Sequence, residues 1–293
     1  MTHEGNGAVS LRGLLDRWRS DLASWAIPDN ITAAVEQSPW VLPREVFIRR
    51  ASRVAAAPSG RSYERARAAL EPPGSVLDVG SGAGAACLPL LPRCTALTAV
   101  DSDEHLLAEL ARQAAGSDVD LRLVTGRWPD VAAAAGEADV VTCHHVLYNA
   151  PDIEPFLAAL TAAARRLVVV ELTTVHPLSS LNALWQQFWG LARPDGPTAD
   201  DVLAILAAMG LRASSERWSR PGGRDYGSFA EMTDVTRRRL CLPPERADEV
   251  AEALTDMGVD PTHPVDLGSS GREVVTIWWG RVPNDLATGA SSG

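Results

Sequence analysis

The chain has 293 residues, of which 46% are hydrophobic and 22% are charged, a balance that excludes a wholly disordered protein. Its 27 basic residues are all arginines, so reactions that need a lysine, such as Schiff-base formation and P-loop phosphate binding, are excluded. The 37 acidic residues bring the net charge to −10, which argues against nucleic acid as a partner.

No apolar run is long enough to span a membrane, and residues 1–10 lack the basic and apolar regions of a secretory signal. We therefore expect a cytoplasmic protein without membrane contact. The cysteines at positions 87, 94, 143 and 241 do not have metal-ligand spacing, which predicts reduced, mostly buried thiols and no metal site.

The first part of the chain has the periodicity of helices. Apolar residues recur at helical spacing from Leu11 to Trp25, and Pro43 suits the first turn of a second helix. Another predicted helix ends near Leu70, before a linker rich in proline. We predict an N-terminal helical cap over residues 1–70.

From residue 75 onwards, short apolar runs alternate with stretches of helix length. This alternation predicts an α/β fold, in which helices cover both faces of a mostly parallel sheet. The predicted strands are 75–79, 95–100, 119–124, 138–143, 165–172, 211–218 and 272–279.

The core domain is predicted to span residues 71–283. A glycine-rich loop and two predicted helices, at about 219–271, form a helical insertion before the last strand. Residues 284–293 are predicted to be a disordered tail.

A glycine-rich turn follows the first predicted strand. Gly80, Gly82 and Gly84 allow a sharp turn and a close approach of a ligand to the backbone, and a helix is expected after them. The alternative interpretation is a tight turn without a ligand. Asp78, two residues before the first glycine, would repel a pyrophosphate and favour a ligand with an ammonium or sulfonium group. S-Adenosylmethionine (SAM) carries both groups.

A second acidic residue, Asp101, ends the next predicted strand. It lies about 20 residues beyond the turn, the spacing from which a carboxylate reaches the ribose hydroxyls of a nucleoside cofactor. The alternative role is to cap the helix that follows.

These motifs, taken in order, resemble class I SAM-dependent methyltransferases over residues 75–175. The segments concerned are VLDVGSGAG, AVDSDEHLL, VTGRWPDVA and ADVVTCHHVLYNAPDIEPFLAAL, followed by RRLVVVEL. The resemblance implies a seven-stranded Rossmann-like sheet whose last strand is antiparallel, with SAM bound at the carboxyl ends of the strands. The implied cofactor-binding residues are Asp78, Gly80, Ser81, Gly82, Gly84, Asp101, Ser102, Arg127, Trp128 and Cys143.

One position departs from the family. Arg127 stands where many relatives have an acidic residue beside the adenine amine, and an arginine cannot accept a hydrogen bond from that amine. Adenine recognition is then expected to use backbone groups, packing on Trp128, or Asp130.

The segment after the fourth strand lies beside the transferable methyl group in the family. His144 and His145 are candidate catalytic bases there, since an imidazole titrates near neutral pH. Because neighbouring side chains point in different directions, at most one is expected to face the methyl group. The candidate substrate residues are Tyr148, Asn149, Glu171 and Trp40, with His176 as a weaker candidate; core packing or a plain loop position is the alternative for each.

Two further features leave alternatives open. The aromatic residues Trp185, Phe188 and Trp189 are interpreted as core in preference to a substrate cage. The arginines within 44–67 and 237–239 are interpreted as solvated or ion-paired faces, with an anionic docking surface as the alternative.

The function predicted from the sequence is methyl transfer from SAM to an O, N or S nucleophile of a small molecule. The alternatives are an RNA or protein methyltransferase that docks through the arginine-rich N-terminal helices, and a non-catalytic SAM-binding protein. An NAD-dependent oxidoreductase is disfavoured by Asp78.

Overall fold

Seven strands form one sheet in the computed structural model, which describes residues 10–33, 35 and 38–280. Every strand predicted from the sequence is present, and the largest difference is the later start of β6. The strands are β1 Gly74–Val79, β2 Cys94–Asp101, β3 Asp120–Thr125, β4 Ala138–His144, β5 Ala164–Thr173, β6 Ser214–Ser219 and β7 Glu273–Trp279.

The strand order is β3-β2-β1-β4-β5-β7-β6. The strands β1 to β5 are paired in parallel, whereas β7 runs antiparallel to both β5 and β6. The predicted fold class, a seven-stranded, mostly parallel sheet whose last strand is antiparallel, is confirmed. The chain order reverses between β1 and β4, so the loops after these strands diverge and leave a crevice at their carboxyl ends.

Helices surround the sheet and precede it. Within the described residues, four of them come before β1, in agreement with the helical character predicted for this part of the chain. The helices are α1 Leu11–Ala23, α2 Asp29–Thr32, α3 Arg44–Ala56, α4 Arg61–Ala69, α5 Glu104–Ala114, α6 Ala132–Ala135, α7 Ile153–Ala163, α8 Asn182–Trp189, α9 Ala199–Ala208, α10 Phe229–Arg239 and α11 Ala247–Asp256.

The N-terminal helices are held to the sheet by specific contacts. Trp18 on α1 is 1% exposed, and its indole N–H donates to the carbonyl of Ala150, next to the loop after β4, at 2.8 Å. Ser10 caps α1 by accepting the N–H of Gly13. This packing brings the first part of the chain over the carboxyl ends of the strands.

The helix expected directly after the glycine-rich turn is absent. The chain instead forms turns and then a short 3₁₀ helix at Leu88–Arg93. Pro89 and Pro92 lack backbone N–H groups, so this segment cannot build the hydrogen-bond ladder of an α-helix. The expectation of a helix N-terminus next to the glycines is therefore wrong.

The segment between β6 and β7 contains the two predicted helices as α10 and α11. They pack with α8 around a second apolar cluster that includes Trp185, which is 3% exposed, as the core interpretation of that residue predicted. Trp189 is partly exposed, and its indole N–H donates to the Leu240 carbonyl. No helix in the described part is long and apolar enough to cross a membrane. The predicted disordered tail, 284–293, lies outside the described residues.

Candidate functional site

The glycine-rich turn is pinned to the end of β2. The N–H groups of Gly80 and Ser81 donate to the carbonyl of Val100, and the N–H of Gly82 donates to the Asp101 carboxylate at 2.8 Å. Gly80 has a φ of +70°, and a Cβ atom there would lie 2.3 Å from a methyl carbon of Val146. Glycine is thus required at position 80 both by the backbone conformation and by the close approach of the loop after β4.

A first cavity of about 850 Å³ opens at the carboxyl ends of β1, β2 and β4. This volume lies within the range of pockets that enclose molecules of cofactor size. Among the residues that line it are several predicted to bind the cofactor: Gly80, Ser81, Gly82, Asp101, Ser102, Arg127 and Trp128. The structure therefore brings these sequence-predicted positions to one cavity, together with His144 and His145.

Four buried polar atoms belonging to residues of this cavity wall have no hydrogen-bond partner within the described part of the protein. They are Ser81 Oγ, His144 Nε2, His145 Nδ1 and Arg53 Nη1. Buried polar groups in folded proteins are normally paired, because an unpaired one loses its hydration without compensation. Four of the nine such unpaired side-chain atoms in the described part of the protein belong to residues that line this one cavity.

Asp101 has two roles in the turn. Its Oδ2 accepts the N–H of Gly82 and its Oδ1 accepts the N–H of Asp103 at 2.9 Å. Each oxygen retains acceptor capacity for a further donor, such as a ribose hydroxyl. The predicted capping of the next helix falls instead to Asp103, which accepts the N–H groups of His105 and Leu106.

Two residues predicted to bind the cofactor, Cys143 and Gly84, do not line the first cavity. Cys143 is fully buried in the apolar core, where burial raises the pKa of its thiol well above the usual value, so the assignment of its side chain to the cofactor site is corrected. Gly84 lies outside the cavity wall, and a Cβ there would meet Leu88. Its role is to allow close packing below the turn.

Asp78 is fully buried beneath the turn and is not part of the cavity wall. Its Oδ1 accepts the hydroxyl of Thr142 at 2.8 Å, whereas its Oδ2 has no partner. Burial raises the pKa of this carboxyl, with the nearby His144 and the Thr142 hydroxyl acting in the opposite direction. Direct contact between Asp78 and a ligand remains a prediction.

Arg127 and Trp128 both line the first cavity, after β3. The Trp128 indole N–H donates to the carbonyl of Phe156 at 3.2 Å, which fixes the ring against the cavity wall. Asp130, the alternative acidic residue for adenine, also lines the cavity.

His145 is the centre of a polar cluster at the end of β4. Its Nε2 lies 3.0 Å from Glu171 Oε1, on the neighbouring strand β5, and 2.7 Å from Arg220 Nη1. Arg220 also donates to the same Glu171 oxygen at 3.0 Å. Because a guanidinium can only donate, the two contacts of Nε2 belong to different tautomers. When Nε2 accepts from Arg220, Nδ1 carries the proton; when Nε2 carries the proton and donates to Glu171, Nδ1 is an acceptor. Nδ1 has no hydrogen-bond partner among the described residues.

The protonation states of His145 and Glu171 depend on their burial and on the charges of the other residues in this cluster. Burial lowers the pKa of His145, and Arg220 adds to this effect, while Glu171 opposes it. Burial alone would raise the pKa of Glu171, but Arg220 and His145 outweigh it and hold that pKa well below its usual range. His145 is therefore a neutral imidazole near pH 7, beside a paired carboxylate.

A second cavity, of about 640 Å³, adjoins the first one. The two share five wall residues: Phe47, Arg50, His145, Asn149 and Pro151. Aromatic side chains from separate parts of the chain line the second cavity, namely Trp25, Trp40, Phe47, Tyr148 and His176.

The predicted substrate residues are divided between the two cavities. Trp40, Tyr148 and Asn149 line the second cavity, and Glu171 lines the first. The Tyr148 hydroxyl bonds to Thr173, donating to its carbonyl at 3.0 Å. His176 stacks on Trp25 with ring centroids 4.1 Å apart, and burial lowers the pKa of His176 to about 3, so it is a neutral wall residue.

A buried ionic cluster, which sequence reasoning missed, supports the wall between the cavities. Arg50 on α3 is 8% exposed and binds Asp266 at 2.7 Å and Asp225 at 3.4 Å. Arg53 reaches Asp225 at 3.1 Å. The sequence predicts solvated or ion-paired arginines over 44–67, and Arg50 is ion-paired, but it is buried between carboxylates and not on an exposed helix face.

The described residues contain no group of histidines, cysteines and acids arranged to hold a metal ion. The four cysteines are free, and three of them, Cys87, Cys143 and Cys241, are almost completely buried. Arg220 was also missed by sequence reasoning, and the only available signal was its position directly after a predicted strand.

Comparison with protein families identifies the domain that carries the site. Residues 76–169, from β1 into β5, match the family described as a methyltransferase domain. This segment contains the glycine-rich turn, Asp101 and His145. No curated protein matches the chain at a significant level.

Solved structures that match the chain share little sequence with it. Magnesium protoporphyrin IX methyltransferase from Synechocystis PCC 6803, solved with S-adenosylhomocysteine (SAH), is 20% identical, with 71% of this chain and 93% of that one covered and a TM-score of 0.43. A cyclopropane-fatty-acyl-phospholipid synthase-like protein from Lactobacillus casei is 16% identical, with 90% and 97% covered and a TM-score of 0.47. A putative methyltransferase of an antibiotic biosynthesis pathway from Anabaena variabilis is 12% identical, with 75% and 99% covered and a TM-score of 0.45.

Proposed function

We propose that this protein transfers a methyl group from SAM to an O, N or S atom of a small molecule, because residues 76–169 match the methyltransferase domain family and the motifs of the sequence resemble class I SAM-dependent methyltransferases. The observation that supports this proposal is the arrangement of two cavities that meet at His145. The first cavity would hold SAM and the second would hold the acceptor.

The first cavity fits SAM in its chemistry. Asp101 offers carboxylate acceptors for ribose hydroxyls, and the unpaired Ser81 Oγ and Arg53 Nη1 offer groups for a polar amino-acid moiety. Trp128 offers a flat surface beside the cavity. When bound, SAM supplies a methyl group already activated by a positively charged sulfur.

His145 would act as the base at the boundary of the two cavities. In the tautomer whose Nε2–H donates to Glu171, Nδ1 would accept the proton of an acceptor hydroxyl, amine or thiol. This tautomer requires Arg220 to direct its N–H groups to Glu171 and not to Nε2. Glu171 would orient the ring and stabilise the imidazolium that forms. Arg220 keeps Glu171 ionised and so maintains this hydrogen bond.

The second cavity would position the acceptor and limit the access of water. Alignment of the acceptor atom contributes much of the rate in a displacement reaction of this kind. Phe47 and Asn149 lie at the boundary with the first cavity, and the aromatic rings of Trp25 and Tyr148 form the wall beyond it.

The alternative of a macromolecular acceptor is disfavoured because several arginines of the N-terminal helices are already ion-paired. Arg44 binds Asp103 at 2.7 Å, Arg50 is buried between carboxylates, and Arg61 binds Glu216 at 2.9 Å. Ion-paired guanidinium groups are poor sites for phosphate, because an anion must first displace the carboxylate.

Titration calorimetry with SAM, SAH and NAD tests the proposal. We expect SAM and SAH to bind and NAD to bind at least about a hundredfold more weakly. Asp101→Asn should weaken SAH binding about tenfold or more, the effect of one charge-assisted hydrogen bond, whereas Asp118→Asn, at an exposed position, should leave it unchanged. Binding of NAD without SAM or SAH would overturn the proposed function.

A further inference from the structure

We propose that the acceptor is a planar, unsaturated molecule that carries an anionic group, carboxylate or phosphate, and that Arg239 binds this group in the second cavity. This inference rests on the proposed function, because it assigns the second cavity to the acceptor. It goes further by naming the chemical class that the cavity selects.

Arg239 is the last residue of α10 and lines the second cavity. Its Nε is a buried atom without a hydrogen-bond partner, and the described part of the chain offers its guanidinium no ion pair within 4.0 Å. The other two arginines of the wall are occupied: Arg19 binds Asp152 at 3.0 Å, and Arg50 binds Asp266 at 2.7 Å. Arg239 is therefore the wall cation that is available to a ligand.

The charges that line the second cavity favour an anion. Three arginines, Arg19, Arg50 and Arg239, line it with one carboxylate, that of Asp266. Because Arg19 is paired with Asp152 and Arg50 with Asp266, the positive charge of Arg239 has no ion-pair partner among the described residues.

Asp266 interacts electrostatically with Arg239 but forms no ion pair with it within 4.0 Å. Burial alone would raise the pKa of Asp266, but Arg50 and then Arg239 lower it to about 2. Its carboxylate oxygens accept hydrogen bonds from Arg50, the Gly268 N–H and the Ser269 hydroxyl.

The remainder of the wall favours a flat apolar body. Trp25 and His176 are stacked, and the Tyr148 ring lies edge-on to His176 with centroids 5.0 Å apart. Each of these polar rings already has a protein partner, since the Trp25 N–H donates to the Gly196 carbonyl and the Tyr148 hydroxyl bonds to Thr173. These packed rings form a rigid, mostly buried part of the wall, since Trp25 is 4% exposed. Trp40, which is 48% exposed, and the half-buried Phe47 also line the cavity and have ring surface available for stacking on an aromatic or conjugated ligand.

The anionic group and the reacting atom would lie apart on the acceptor. Both His145 and Arg239 line the second cavity, and only His145 also lines the first. An acceptor whose charge is held by Arg239 would therefore present its other end to His145. A guanidinium holds a carboxylate or phosphate through two parallel N–H donors, which fixes direction as well as affinity.

Calorimetry with small probes tests this inference, with the protein saturated with SAH. The probes are 4-hydroxybenzoate, 4-hydroxyphenyl phosphate and the neutral 4-hydroxybenzamide, which have the same ring and differ in charge. We expect at least one anion to bind about tenfold or more tightly than the amide. The order of the two anions distinguishes carboxylate from phosphate recognition.

Arg239→Gln should abolish this preference, and Arg238→Gln is the matched control on the same helix, since Arg238 is paired with Asp234 outside the cavity. Affinity for SAH should be unchanged in both variants. If the wild-type protein binds the amide as well as the anions, or binds none of the probes, the inference is overturned. Failure of the wild-type protein to bind SAH would instead overturn the proposed function, so the two failures are distinguishable.

Discussion

Nε2 of His145 lies 3.0 Å from Oε1 of Glu171, and the backbone N–H of His145 donates to the Glu171 carbonyl at 2.8 Å. Two contacts between the same two residues fix both the backbone and the imidazole ring. His145 has a φ of +59°, a conformation that is uncommon for a residue with a side chain. The surrounding structure holds it there, as is often found at functional sites.

The first prediction concerns the ionisation of His145. Burial keeps its pKa below the ordinary value of 6.5, so a base at this position stays neutral, and methyl transfer should decline only below about pH 6.5. Glu171→Gln removes the carboxylate that stabilises the imidazolium, and it should lower the His145 pKa further. Histidine signals followed by NMR through a pH titration measure this change.

The matched control for that experiment is Glu154→Gln, at an exposed position on α7, which should leave the His145 titration unaltered. A His145 pKa that rises in Glu171→Gln would show that the carboxylate does not stabilise the imidazolium. The role of Glu171 as a positioning residue would then be wrong.

The second prediction concerns the buried ionic cluster and acid stability. The pKa of Asp266 is about 2 in the folded protein against 3.8 ordinarily, so its contribution to the free energy of unfolding is complete above about pH 4 and is lost as pH falls towards 2. Asp266→Asn should lower the free energy of unfolding at pH 7 by about 3 kcal/mol, because Arg50 loses a buried partner. Urea unfolding at pH 7, 4 and 2.5 measures the free energy of unfolding of the wild-type protein and of the variant.

The free energy of unfolding of the wild-type protein should approach that of Asp266→Asn as pH falls below 4, and the difference between the two should shrink by about 2 kcal/mol in all. Asp256→Asn, at an exposed position at the end of α11, should follow the wild-type protein throughout. A pH-independent difference would mean that the Asp266 carboxylate is not stabilised in the folded state.

The third prediction separates ligand binding from stability at Ser81. Its buried Oγ lines the first cavity and has no protein partner. Ser81→Ala should therefore raise the Kd for SAH about three- to tenfold while leaving the melting temperature unchanged or slightly higher. Calorimetry and thermal unfolding of the same preparation check both parts.

Thr233→Val is the control for Ser81, because Thr233 Oγ1 is also buried without a partner but is not part of the first cavity wall. This variant should bind SAH normally. Equal SAH affinity for the wild-type protein and Ser81→Ala would exclude a hydrogen bond from the ligand to this hydroxyl.

The fourth prediction concerns the turn itself. Gly80→Ala introduces both an unfavourable φ of +70° and a contact of 2.3 Å with Val146, and it should lower the free energy of unfolding by about 3 kcal/mol. Gly116→Ala, where φ is +90° and no atom lies within 4 Å of the added Cβ, should cost only about 1 kcal/mol. Chemical denaturation measures both variants.

A double-mutant cycle with Val146→Ala checks the cause. Val146→Ala removes the methyl group that the added Cβ would meet. In a protein that carries Val146→Ala, the decrease in the free energy of unfolding caused by Gly80→Ala should therefore be smaller than in the wild-type protein, by about 1 kcal/mol or more. Purely additive effects would indicate that the backbone conformation alone makes Gly80 necessary.

The local signals in the sequence were strong enough to identify the strands and the turn. The alternation of short apolar runs with stretches of helix length predicted all seven strands. The signal is strongest for the parallel strands β1, β4 and β5, most of whose residues are buried, because a strand covered on both faces needs nearly continuous apolar residues. The same reasoning failed for the helix after the glycines, where Pro89 and Pro92 outweighed the pattern typical of the family. It also failed for Cys143, because the direction of a single side chain at the end of a strand depends on the packing around it.

The sequence by itself determined the α/β sheet, the glycine-rich turn and the acidic residue after β2, since each follows from short-range pattern and backbone chemistry. Only the tertiary structure decided that Arg50 pairs with Asp266, 216 residues away, and that Arg220 joins His145, 75 residues away. The physical reason is that an arginine has the same local pattern whether it faces water or a buried carboxylate. Which of the two it meets depends on how distant segments pack together.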